Sequence, residues 1–362
     1  MKIAGARAWV CDIPVLQPRS DAVQSFLSQE TIFVEVTTTD GTVGRGYSYT
    51  IGIGGTAVLA LVEDYLIDKL SGLDAACPEE IWRHLYNQCR SVMVGPITAL
   101  ALAAIDTAVW DARAKALGLP LFQLAGGAQH SVPVYDTEGG WLHFSIDELA
   151  ANAAQAIKDG RHGVKVKVGK PDPSTDVERL RAVREAIGPA AALMVDANQG
   201  FTRDEAVRRA HLYEPFDLTW FEEPLAADDV EGHAILARST SIPIAVGETI
   251  YSLAHFREYL SAGAASVVQP DVARIGGITP WLKVAHLAEA FGVPAAPHFL
   301  MELHVSLSAA VPNGRWVEWI PQLAPVTSSS IAVTDGRAHP PRAAGLGISW
   351  DDEAIERLSA SR

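Results

Sequence analysis

A chain of 362 residues with 48% apolar side chains can bury a large core, which excludes a disordered protein and suits a barrel with an accessory domain. A formal charge of −14 argues against nucleic acid or an anionic membrane surface as a partner. Cys11, Cys77 and Cys89, an odd number without CxxC spacing, make neither a disulfide framework nor a zinc site.

The opening stretch MKIAGARAWVCDIPV carries charges and no long apolar run, so no signal peptide and a reducing cytoplasm are expected. Lys2–Pro14 and Thr31–Ser48 alternate in polarity and read as strands, the second stretch turning back on itself at Asp40-Gly41. Val15–Glu30 between them is polar and lacks a clear period, which predicts a solvated linker or a mobile flap. Tyr47–Gly55 (YSYTIGIGG) reads as a flexible loop rather than a phosphate cradle, because no helix-opening Lys-Ser/Thr follows. Thr56–Leu73, Pro78–Val92 and Ile97–Leu117 have helical period. The last contains Asp106, Asp111, Arg113 and Lys115 and is therefore no membrane span. These elements predict an α+β capping domain over residues 1–127, closing near Gly126-Gly127.

From Val132 the pattern changes. VPVYD (Val132–Asp136), VKVKVG (Val164–Gly169), LMVDAN (Leu193–Asn198), LTWFEEP (Leu218–Pro224), IPIAVGE (Ile242–Glu248), SVVQPD (Ser266–Asp271), VPAAPH (Val293–His298) and WVEW (Trp316–Trp319) are strand-length and mostly apolar on both faces. Helical segments separate them. The charged ends Asp196, Glu222, Glu248, Asp271 and His298 recur at intervals of 26, 26, 23 and 27 residues, the length of one βα unit. Eight such units predict a modified (β/α)8 TIM barrel over residues 128–322, with its active site at the C-terminal strand ends. The tail, residues 323–362 with a short helix at Asp352–Leu358, is expected to pack back on the capping domain.

Asp196, Glu222 and Glu248 then lie side by side. Each alone is explained as well by capping the following helix. Three in register repel unless compensated, and a divalent cation resolves that. An all-oxygen ligand set with open positions fits Mg2+ better than zinc. Glu223 alternates to the outer face and reads as a supporting residue. Lys165 and Lys167 share one face of a valine strand that a closed barrel does not expose. Two ammonium groups near a cation lower each other's pKa, which suits one as a base and the other as a carboxylate anchor. Asp271 beside His298 fixes its tautomer and makes an acid/base. Glu318 is placed to polarise a substrate oxygen, and Asn198 to contact a hydroxyl.

Lys-x-Lys, VDAN, EEP, GE, DxxRIGG, PH and WxEW in this order resemble the mandelate racemase group of the enolase superfamily. The similarity covers nearly the whole chain, including IDTAVWDARAKALGLPLFQLAGG before the barrel. It implies a cap formed by both termini, Mg2+ on Asp196, Glu222 and Glu248, and no separate organic cofactor. By the same resemblance, Lys167 is a base on one face of a small carboxylic acid. His298, paired with Asp271, acts on the other face, and Lys165 and Glu318 contact the substrate carboxylate. Abstraction of the α-proton gives an enediolate, whose charge the cation and Lys165 offset. Muconate-lactonizing and dipeptide-epimerase relatives carry lysine where Asp271 stands, which argues against them. Pro297–Ala310 (PHFLMELHVSLSAA) is similar to acid-sugar dehydratases of the galactarate/talarate type. Glu302 and His304 there stand as substrate contacts or structural residues alike. The implied reaction is β-elimination of water from a hexarate or hexonate. The alternatives are a racemase or epimerase of an α-hydroxy acid or proline-type amino acid, a metal hydrolase, and a catalytically silent binding barrel. The resemblance also implies a homo-oligomer, often an octamer. The loops Val15–Glu30 and Tyr47–Gly55 are expected to choose the substrate, with hydroxyls from Tyr47, Ser48, Tyr49 and Thr50 leaning towards a polyol acid.

Overall fold

The computed structural model describes residues 1–359. It opens with one long antiparallel hairpin, β1 (Ile3–Ser20) against β2 (Ser25–Thr38), and β3 (Val43–Thr50) joins the far side of β2. The turn at Asp40-Gly41 is present, with Gly41 at φ +85°. Val15–Glu30 is not an unstructured linker. It forms the distal half of the β1–β2 hairpin, beyond a register shift between Pro14 and Arg19. Its polar residues are anchored instead of solvated: Arg19 is buried and pairs with Glu138 and Gln322 of the barrel, and Leu142 N–H donates to the Ser20 carbonyl. Asp21 Oδ1 accepts from the N–H groups of Val23 (2.7 Å) and Gln24 (2.9 Å), which shapes the tip. Tyr47–Thr50 likewise belongs to β3 and not to a loop.

The first helical stretch is less regular than its period suggests. The helix α1 (Gly55–Leu61) widens into a π-helical turn at Val62–Leu66 and tightens at Ile67–Lys69. Next come α2 (Pro78–Cys89) and α3 (Pro96–Ala116), each opened by a proline at the position where its missing N–H costs nothing. The helix α3 lies directly on β3. A Cβ at Gly44 or Gly46 would come within 2.2 Å of the Ala108 backbone, so these glycines permit the contact. A short α4 (Leu121–Leu124) leads into the barrel.

The barrel alternates β4 (Val132–Asp136), α5 (Ile146–Lys158), β5 (Gly163–Lys167), α6 (Pro173–Ile187), β6 (Ala192–Asp196), α7 (Arg203–Tyr213), β7 (Trp220–Glu222), α8 (Val230–Ser239), β8 (Ile244–Val246), α9 (Leu253–Ser261), β9 (Val267–Val268) and α10 (Ile278–Ala290). The strands pair in parallel in that order. The expected seventh strand, Val293–His298, shrinks to parallel bridges from Ala295 to Val268 and Gly314, because Pro294 and Pro297 have no N–H to donate. After α11 (Met301–Ala310), β10 (Val317–Trp319) pairs in parallel with β4 and closes the ring. Between β10 and the next strand there is only a single 3-10 turn, Ala324–Val326. The small hairpin β11 (Ala332–Thr334) and β12 (Arg337–His339) instead pairs with the N-terminal end of β4. The tail then crosses to the cap, where Trp350 packs edge-on against Phe33 and Tyr47, and α12 (Asp352–Ser359) lies on β1. No helix among the described residues is long and apolar enough to cross a membrane.

Asp106 of α3 ties cap to barrel. Its carboxylate accepts from Thr279 N–H (2.9 Å) and Oγ1 (2.7 Å) at the start of α10, and Gly277 (φ +118°) leaves room for it. Burial lifts the Asp106 pKa to about 7, against the opposing pull of the Thr279 bonds. The unfolded chain releases this proton near pH 4. Stability from this group is therefore fully present below that pH and is lost as pH rises to about 7, at up to about 1.4 kcal/mol per unit. Asp106→Asn is expected to flatten that fall in urea-unfolding free energy between pH 5 and 7; an unchanged slope would contradict the assignment.

Candidate active site

The barrel register places the charged strand ends together. Lys167 of β5 is level with Asp196 of β6, and Asp196 with Glu222 of β7. Glu248 follows β8 by two residues. Ligand oxygens of Asp196, Glu222 and Glu248 all lie within 4.8 Å of one another, and the three side chains are buried. Burial, reinforced by Asp196, pushes Glu222 up to about pKa 8, so this site holds more negative charge than its own lysines relieve. The Asn198 side-chain oxygen is buried without a hydrogen-bond partner, and Glu248 Oε2 makes no hydrogen bond, with the His298 ring nitrogen 3.4 Å away. Clustered carboxylates, an orphaned acceptor and a suppressed ionisation are what a site built for a hard cation requires.

The two lysines differ in position. Lys167 lines the cavity, donates to Asp196 Oδ2 and lies 5.3 Å from the centre of the Trp141 ring. Lys165 is buried beneath the cavity floor, 2.7 Å from Glu222 Oε1 and 3.0 Å from Glu318 Oε1. The expected mutual lowering of their pKa values does not prevail. Burial opposes both charges, yet Asp196 raises Lys167 above its ordinary value, and Glu222 and Glu318 raise Lys165.

His298 Nδ1 is 2.9 Å from Asp271 Oδ2, and its Nε2 is 3.4 Å from Glu248 Oε2. Asp271 also accepts from Tyr49 Oη (2.7 Å) and Ala273 N–H (2.8 Å). Burial works against the Asp271 charge, but the bond from His298 outweighs it and pulls the carboxyl down to about 2. A permanently ionised Asp271 makes Nδ1 the donor and turns Nε2 towards the cavity. Burial alone would lower the His298 pKa; Glu248 and Asp271 raise it instead. Glu318 accepts from Thr137 Oγ1 (2.6 Å) and Phe299 N–H (2.7 Å) and reaches the cavity wall, as does Asn198.

Lys167, Asn198, Glu248, His298 and Glu318 line a cavity of about 490 Å³ between the strand ends and the cap, enough for a six-carbon acid, with Asp196, Glu222, Lys165 and Asp271 behind them. Asn198, Gln199, Glu223, Phe299 and Leu300 all adopt positive φ around it, a concentration of backbone strain typical of functional sites. Glu223 faces this cavity, held by Thr249 and Gln199. Arg274, inside the DxxRIGG motif, donates to the Glu248 carbonyl (3.0 Å) and was not singled out by strand spacing because it lies beyond the strand end. His304 is fully buried, accepts from Val272 N–H and bonds the Phe299 carbonyl, so it braces the Asp271 loop outside the cavity. Glu302 lines a different cavity with Ser329 and His339. The hydroxyls of Tyr47–Thr50 do not supply a polar substrate wall. Those of Tyr47 and Ser48 are buried, Tyr49 bonds Asp271 and Thr50 bonds Glu30.

Two family models match this chain: the mandelate racemase/muconate lactonizing enzyme N-terminal domain over residues 6–126, and the enolase C-terminal domain-like family over 148–354. The chain belongs to the mandelate racemase group of the enolase superfamily. This member is 39% identical over 348 residues to an L-talarate/galactarate dehydratase of Salmonella typhimurium, covering 94% of this chain and 87% of that one. It is 37% identical over 331 residues to a 3,6-anhydro-α-L-galactonate cycloisomerase of Streptomyces coelicolor, covering 91% of each. A crystal structure of L-talarate dehydratase from Polaromonas sp. JS666, complexed with Mg and L-glucarate, superposes with TM-score 0.94 at 40% identity, covering 99% of this chain and 97% of that one. The modified barrel under an α+β cap expected for the group is the fold observed.

Proposed function

We propose that this enzyme removes the proton α to the carboxylate of an acid sugar and expels the β-hydroxyl as water, giving a 2-keto-3-deoxy acid. The observation that carries this reading is one cavity lined by Lys167, by the Asp271-held His298 and by Glu248 of the buried carboxylate triad. The two dehydratase relatives named above support it. Residues 1–127 and the end of the tail would form the cap and 128–322 the catalytic barrel, with the Ala332–His339 hairpin held on β4.

Asp196, Glu222 and Glu248 would hold Mg2+, and bound there it supplies positive charge that acidifies the α-proton and eases charge build-up on the substrate. With Glu222 so committed, Lys165 is left to face the substrate carboxylate beside Glu318. With Asp196 likewise committed to the cation, Lys167 would lose the carboxylate that holds its proton and, as the free amine, takes the α-proton as the C–H bond breaks. His298 Nε2 gives a proton to the β-oxygen as its C–O bond breaks, and the enol product becomes the ketone. Asn198 orients a hydroxyl. Lys167 and His298 stand on the second and seventh strands of the ring, so each reaches the substrate from its own side.

Removal of Mg2+ by a chelator is expected to abolish formation of a carbonyl product from acid sugars, and Mg2+ to restore it. Undiminished product in chelator would refute the metal assignment. A second reading, isomerisation without loss of water, is supported by the cycloisomerase relative, and its product would have the mass of the substrate where dehydration removes one water. A homo-oligomer is part of the proposal, supported by the exposed Leu16, Val23 and Leu27 of the hairpin. A reducing, cytoplasmic setting is supported by three free cysteines.

A further inference from the structure

The cavity is lopsided in charge. At the barrel end, Asp196, Glu222, Glu223, Glu248, Asp271 and Glu318 face Lys165, Lys167 and Arg274, with His298 between them. At the cap end the wall is Val23 and Phe26 of the hairpin tip, Ile51 and Ile53 after β3, and Ile97 and Leu100 of α3. The polar side chains added there by the hairpin tip are Asp21 and Gln24. Among the described residues, the cationic groups lining the cavity are Lys167, Arg274 and His298, all from the barrel. Lys167 is engaged by Asp196 and Arg274 by Glu248. Arg19, the cap cation in reach, lies 5.9 Å behind each of the Phe26, Trp141 and Phe299 rings and is spent on Glu138 and Gln322.

We infer that the substrate is a monocarboxylate, a 2,3-dihydroxy acid of the aldonate or deoxyaldonate class whose remote end is uncharged, and not a diacid. This rests on the reading of the cavity as an acid-sugar site. One carboxylate finds the cation site, which Lys165 backs from beneath the floor. A second, at the far end of a six-carbon chain, meets an aliphatic wall and the Asp21 carboxylate. Where it touches Phe26, Ile51 and Leu100 it gives up part of its hydration and gains no cationic partner in return, while Val23 and Ile53 stay open to solvent. A methyl or hydroxymethyl end carries no such penalty and is favoured by contact with Ile51, Ile53 and Ile97. The Polaromonas relative, whose complex holds the diacid L-glucarate, is therefore a guide to the barrel end of this site and not to its cap end.

The test is calorimetric binding to the Mg2+-loaded His298→Asn variant, which holds substrate without completing turnover. The ligands are stereoisomer panels of six-carbon aldonates, their 6-deoxy analogues and the matched aldarates. The tightest aldonate or 6-deoxy acid is expected to bind at least about tenfold better than its matched aldarate. The half-exposed wall offers a second variant: Ile53→Arg, at a side chain 84% exposed, should fold normally and improve aldarate binding at least about tenfold. Aldarates binding as tightly as the monoacids, or an unchanged aldarate affinity in Ile53→Arg, would overturn the substrate class while leaving the dehydratase reading standing. Failure of every acid in all three panels to bind would overturn both.

Discussion

Replacing Glu222 by glutamine is expected to lower turnover by about three orders of magnitude or more and to weaken Mg2+ binding in the same protein. The side chain would supply one of three carboxylate ligands, and loss of a charge-stabilising metal contact is worth several kcal/mol, at about 1.4 kcal/mol per tenfold in rate. The substitution is also a structural test. Glu222 Oε1 accepts from Lys165, and Oε2 accepts from Trp220 Nε1 (2.9 Å) and Gln269 Nε2 (2.6 Å). Either orientation of a glutamine amide sets its NH2 against one of these donors, which costs about 1–3 kcal/mol of stability. Relief of a carboxylate that burial already disfavours offsets part of this. Unfolding midpoints and metal titrations separate the two effects: a folded variant that binds Mg2+ normally but is inactive would remove Glu222 from the ligand set.

His298→Asn is expected to reduce dehydration by about two to four orders of magnitude, the usual range for loss of a general acid. It should leave the Lys167 side competent. In D2O, the variant should still exchange the α-proton of the substrate configuration that presents it to Lys167, and fail on the opposite configuration. Asp271 would lose its His298 partner but keep Tyr49 Oη and the N–H groups of Ala273 and Arg274, so the loop stays formed. Equal loss of exchange for both configurations would contradict a site that works from two sides.

The strand ends were legible because a buried parallel strand reads as an apolar run, and a charge at its end has few structural uses. Asp196, Glu222, Glu248, Asp271 and His298 fall on one mouth for that reason. What escaped the sequence has physical causes. Val293–His298 reads as a full strand, yet its two prolines leave only the Ala295 bridges. The distal hairpin looked like a linker because its order comes from Arg19, which finds Glu138 at a sequence distance of more than a hundred residues. The two lysines were weighed against each other, whereas the carboxylates around them outnumber them and decide their protonation. Hydroxyls at Tyr47–Thr50 suggested a polar cap. Those of Tyr47 and Ser48 are buried away from the cavity, and Asp271 and Glu30 take those of Tyr49 and Thr50. The apolar wall that replaces them is assembled from three separate segments, so no local motif announces it.

The most direct test of the central claim is proton NMR of the wild-type enzyme with Mg2+ in D2O, following acid sugars for the α-proton and for product together. The account predicts loss of the α-proton signal coupled to a 2-keto-3-deoxy acid carrying deuterium at C3. An α-proton that never exchanges, or one that exchanges with inversion while the β-hydroxyl stays in place, would contradict it.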